Sequence, residues 1–61
     1  MKATINIVMD NAAFAEDAGG ELARILRDIA TVVAVGGVDA DDTLILHDSN
    51  GNGVGTYKIE E

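Results

Sequence analysis

The sequence predicts an α+β fold of β-α-β-β order, with one helix packed on a three-stranded, mainly antiparallel sheet. Three features carry this reading: an alternating segment at the amino end, an apolar stripe of helical period in the middle, and an Asn-Gly turn between two strand-like segments near the carboxyl end.

Lys2 to Met9 alternates with the period of a half-buried strand. Ala3, Ile5, Ile7 and Met9 fall on one face, and Lys2, Thr4, Asn6 and Val8 on the other. Asp10 and Asn11 end the alternation, since both side chains bond to nearby backbone and favour turns. Asn11 to Gly20 is Ala-rich, but Gly19 and Gly20 disfavour an early helix start. The helix is expected from about Glu21 to about Val35, with Leu22, Ile25, Leu26 and Ile29 buried and the stripe running on to Val32 or Val33. Thr31 to Val35 is a β-branched run that also reads as a strand; the unbroken stripe favours helix. Gly36 and Gly37 supply the stop.

Val38 to Asp42 is an acidic connection, followed by strands expected at Thr43 to Asp48 and Val54 to Glu60. Between them, Asn50-Gly51 supplies the backbone angles of a tight hairpin turn. Alternation then puts Leu44, Leu46, Gly55, Tyr57 and Ile59 on the helix side. Thr4, Asn6, Val8, Ile45, His47, Val54, Thr56 and Lys58 are expected on the opposite face.

The chain has 61 residues, enough for a single domain, residues 1–61. Nine of its apolar residues are Ala and only Phe14 and Tyr57 are aromatic, so the core must be aliphatic. There is no Cys for a disulfide, and no apolar run approaches the ~20 residues of a membrane span. The amino terminus lacks the basic and apolar regions of a secretory signal, which makes the cytoplasm the expected location. Eleven acids stand against four bases, a net charge of -7. That balance argues against direct nucleic-acid contact, which needs Lys and Arg to neutralise phosphates. It suits either solubility or a basic protein partner.

No constellation reads as an active site or a cofactor site. Asp48-Ser49-Asn50-Gly51-Asn52-Gly53 matches the opening of a calcium loop, but the twelfth position, where a bidentate carboxylate is required, is Ile59. His47 is a lone histidine without Cys, and no nucleophile pairs with it. Asp39, Asp41 and Asp42 are close in sequence and suit a solvated loop. The glycines around Asn52 lack the helix and Lys of a phosphate cradle. The open sheet face is the candidate contact surface, with Val8, Ile45 and Val54 at its centre and His47 on the same face; the acidic loop with Asp39, Asp41 and Asp42 is the other candidate surface. The sheet face would serve a homodimer or a heterologous partner equally.

Asp10-Asn11-Ala12-Ala13-Phe14, Glu21-Leu22-Ala23-Arg24-Ile25-Leu26 and Asn50-Gly51-Asn52 with Val54-Gly55 together resemble a group of small uncharacterised proteins of bacteriophages and prophages. These motifs carry fold and no catalytic residue. Gly19-Gly20 and the apolar Thr31 to Val35 depart from that group's pattern. The resemblance implies a phage context in the cytoplasm of a bacterial host. The function expected there is a non-catalytic acidic protein-binding module, of the kind that inhibits a host defence complex as anti-CRISPR proteins do. The alternatives are a structural or accessory homo-oligomeric phage protein and a calcium-stabilised hairpin-loop protein.

Overall fold

The computed structural model describes residues 1–61. Strand β1 (Lys2–Ile7) leads into a short helix α1 (Ala12–Glu16) and a long helix α2 (Ala18–Gly36). Strands β2 (Thr43–His47) and β3 (Gly53–Glu60) complete the chain. The sheet has the order β1-β3-β2, with β3 pairing antiparallel to both neighbours. This is the expected α+β architecture with one additional helical turn and a half. No helix is long and apolar enough to cross a membrane.

Helix α2 begins three residues before the expected start, running through Gly19 and Gly20. Asp17 makes this possible: its carboxylate accepts the Gly20 N–H at 2.9 Å and so satisfies one of the orphan donors of the first turn. At the other end the Gly37 N–H closes onto the Val33 carbonyl. The β-branched run Thr31 to Val35 is helical, as the stripe indicated.

The core gathers Phe14 of α1, Ile25 and Ile29 of α2, Leu46 of β2, and Val54, Tyr57 and Ile59 of β3. Ile7, Val33 and Leu44 pack against it. Only one ridge of α2 fits over so narrow a sheet, the line through Leu22, Ile25, Ile29 and Val33. Leu26, expected in the core, lies a hundred degrees round the helix from Ile25 and is 43% exposed.

The sheet departs from regular alternation at one point. Leu46 is paired with Gly55 but His47 with Gly53, so Val54 is an extra residue in β3, a β-bulge. The bulge turns Val54 into the core, where it is 6% exposed. Its placement on the open face is thereby corrected: strict alternation through Val54 to Glu60 does not survive the inserted residue. Beside the bulge β1 and β3 approach closely. A Cβ on Gly55 would lie 1.9 Å from the Asn6 carbonyl oxygen, whereas one on Gly53 would meet only the Ile45 side chain at 3.7 Å.

Two stability series test this packing. Ile25→Ala should cost about 2–5 kcal/mol in urea denaturation and Leu26→Ala distinctly less, because truncation cost follows burial; equal costs would displace the ridge. Gly55→Ala should cost at least about 3 kcal/mol, the upper range for overpacking, while Gly53→Ala stays near the parent. A well-folded Gly55→Ala of parental midpoint would contradict the close approach.

Candidate interaction surface and its polar anchor

Both helices contribute to one core, so the opposite sheet face has no covering layer. Its rows follow from the pairing register: Thr4, Lys58 and Thr43 in one, Asn6, Thr56 and Ile45 in the next. Ile45 is 53% exposed, Val8 56%. They stand on opposite edges, Ile45 beside Thr56 and Val8 beside Val54, so two strand spacings and a two-residue offset put them about 12 Å apart. Val54, expected to join them, points inward, and Thr56 occupies the middle. The aliphatic centre expected from Val8, Ile45 and Val54 is therefore not formed, and Ile45 stands as an apolar side chain in a polar surround.

His47 is exposed at the end of β2, and its carbonyl accepts from Arg24 at 2.8 Å. Asp39, Asp41 and Asp42 form a turn clipped to the far end of β3. The Asp41 N–H donates to the Ile59 carbonyl and the Ile59 N–H to the Asp42 carbonyl. The Asp42 carboxylate accepts the Asp39 N–H at 2.9 Å. Asp41 sits at φ 70, a left-handed conformation that Asp tolerates better than most residues. The carboxylates of Asp39 and Asp41 remain exposed, and Glu60 and Glu61 follow directly from Ile59. An acidic end of the sheet results.

The residue that sequence reasoning undervalued is Asp48. It opens the hairpin loop, where the Gly51 N–H returns to the Asp48 carbonyl and the Asp48 N–H donates to Asn52. Gly51 takes a positive φ of 85 but Asn50 does not, so the turn centres on Ser49 and Asn50 with Gly51 closing it, and the two-residue Asn-Gly turn expected from the sequence is corrected to this longer loop. The Asp48 residue is 4% exposed, and its carboxylate is surrounded by donors. Oδ1 accepts the backbone N–H groups of Asn50 at 2.9 Å and Asn52 at 2.8 Å. Oδ2 accepts the side-chain amides of Asn11 at 3.0 Å and Asn52 at 3.2 Å. Asn11 stands at the start of α1 and leaves that helix without a side-chain cap; its amide reaches the hairpin instead. These donors, Asn11 foremost, hold the Asp48 carboxyl at about 2, below its ordinary value, against the opposing effect of burial. A cation at this loop would have to displace N–H donors from both oxygens.

A second link lies alongside. Glu21 accepts from Arg24 at 3.0 Å and from the Ser49 N–H at 2.7 Å, and Arg24 also holds Asp28 at 2.8 Å. Arg24 lowers the Glu21 carboxyl below its usual value, with the Ser49 N–H adding to the effect. The Arg24 Nε is left without a partner. An open cleft of about 500 Å³ lies between this region and α1, lined in part by Glu16, Asp17, Glu21, Ser49 and Asn50. Asp17 and Glu21 are already committed to the bonds described, so the cleft is a seam between helix and hairpin. No group of three or more His, Cys, Asp or Glu side chains is placed to hold a metal ion.

Acid titration reads the anchor directly. A carboxyl whose folded pKa is depressed stabilises the fold above its unfolded pKa, near 3.8 for Asp, and that contribution is lost as pH falls through about 2. Asp48→Asn should lower the urea midpoint at pH 6 and flatten its decline between about pH 4 and pH 2; a variant whose midpoint matches the parent at every pH would remove Asp48 as an anchor.

No family model, no curated protein and no solved structure matches this chain.

Proposed function

We propose that this chain is a non-catalytic, acidic protein-binding module that takes a basic protein partner against strand β2 and the turn before it. One juxtaposition carries the reading. Ile45 stands half-exposed on a sheet face without cover, and the same strand starts from the acidic turn at Asp39, Asp41 and Asp42. An apolar contact bordered by charge is the usual anatomy of a protein interface, in which the apolar residue supplies affinity and the charges steer approach. The net charge of -7 makes a basic partner the complementary one.

In the phage context that the motif resemblance implies, that partner is a host complex that handles nucleic acid, whose phosphate-binding groove offers the matching basic surface. Such a module acts by occupying the groove, as anti-CRISPR inhibitors do. It needs no catalytic residue, cofactor or contact with nucleic acid.

The test is capture of partners from bacterial host lysate with the tagged chain, followed by titration of the recovered protein at low and high salt. Ile45→Glu should weaken binding more than about tenfold, as expected for a central apolar contact. Asp39→Asn and Asp41→Asn should each weaken it about two- to fivefold at low salt and less at high salt. Unchanged binding by all three variants would remove this surface.

A further inference from the structure

The two edges of the sheet are finished differently. The alternation of antiparallel hydrogen bonds fixes which residues turn their backbone outward. Ile59 donates to Asp42, so Leu44 and Leu46 bond inward and Thr43, Ile45 and His47 face the free edge of β2. On that edge Arg24 occupies the His47 carbonyl at one end, and the charged residues Asp41 and Asp42 precede the strand at the other. On β1 the Val8 N–H bonds to the Val54 carbonyl, so Lys2, Thr4 and Asn6 bond inward while Ala3, Ile5 and Ile7 face the free edge. No turn, cap or side-chain hydrogen bond reaches those outward groups.

The β1 edge also lacks the devices that keep strand edges apart. Ala3 to Met9 is seven residues without charge, Pro or Gly. Ile5 lies on the helix side of the sheet yet is 45% exposed, because α2 sits over β2 and β3. In a chain of net charge -7, this is a strand edge with no acid along it.

We propose that β1 pairs antiparallel with β1 of a second copy, joining two sheets into one of six strands with all helices on the same side. Charge selects the register. Lys2 and Asp10 bracket the uncharged segment, and neither makes an ion pair within its own chain, since both such pairs belong to Arg24. With the two-fold axis between paired Asn6 residues, Ile5 faces Ile7 of the second copy, and continuing the pairing past the end of β1 at Ile7 brings Asp10 of the second copy opposite Lys2. Outward-facing Ile5 and Ile7 then exchange their free backbone bonds. Thr4 meets Val8 on the open face. The symmetry repeats each contact, so two Lys-Asp pairs form and the exposed Ile5 side chains are covered.

Sedimentation of the purified chain over a range of concentrations tests this without any other partner, so its outcome is independent of the proposed function. The parent should reach twice the chain mass. Lys2→Asp and Asp10→Lys, both surface changes, should each raise the dissociation constant about three- to thirtyfold through loss of two symmetric pairs. The double variant, which restores opposite charges across the axis, should recover the parental value, and Ile45→Glu should leave it unchanged. A parent that stays monomeric at millimolar concentration overturns the proposal. So does a dimer that ignores the single reversals, that the double variant fails to restore, or that Ile45→Glu dissociates.

Discussion

The architecture depends on a buried carboxylate. Two helices, one of them five residues long, over three strands leave a core of seven buried apolar residues, and a scaffold this size usually needs a staple beyond its core. There is no disulfide to provide one. Asp48 takes that place by chemistry: a carboxylate removed from water is costly unless its oxygens are filled, and here each oxygen has two N–H donors. Three of those donors, from Asn50 and Asn52, fix the loop that joins β2 to β3. The Asn11 amide comes from 37 residues earlier in the chain and pins the start of α1 to that loop. Glu21 and Arg24 extend the same tie to α2 through Ser49 and His47. The hairpin, both helix starts and the guarded end of the β2 edge thus converge on one polar junction.

The bulge at Val54 is the second constraint, and it couples the core to the surface. By turning inward, Val54 joins the core and withdraws an aliphatic side chain from the open face. The exposed apolar residues are consequently split. Ile45 and the acidic turn lie along β2, while the apolar, uncharged edge of β1 lies on the far side of β3. The two proposed partners, a basic protein and a second copy of the chain, are assigned to these two different regions.

Most of the fold was legible because it is written in periodicity. Alternation located β1, the apolar stripe located α2, and Asn50-Gly51 located the hairpin. What was missed depended on interactions distant in sequence. The helix start at Ala18 needed the Asp17 cap to outweigh Gly19 and Gly20, and the exposure of Leu26 reflects the narrowness of the sheet. Gly55 next to Val54 was a bulge signal, since Gly inside a strand marks close backbone approach. Strict alternation ignored it and put Val54 outside. Asp48 was visible only as the opening of a calcium-like loop. The spacing of Asp48, Asn50 and Asn52 is equally that of a carboxylate folding its own backbone around itself, and the long-range donor Asn11 could not be foreseen.

The most direct measurement is the carboxyl carbon resonance of Asp48 followed by NMR through acid titration, together with the Asn11 side-chain amide protons. Asp48 should titrate with a midpoint of about 2, and the Asn11 amide should shift with the same midpoint as its acceptor is protonated. A midpoint at the ordinary value of 3.8, with the Asn11 amide unresponsive, would show that the carboxylate is not held by these donors and that the polar junction does not organise the fold.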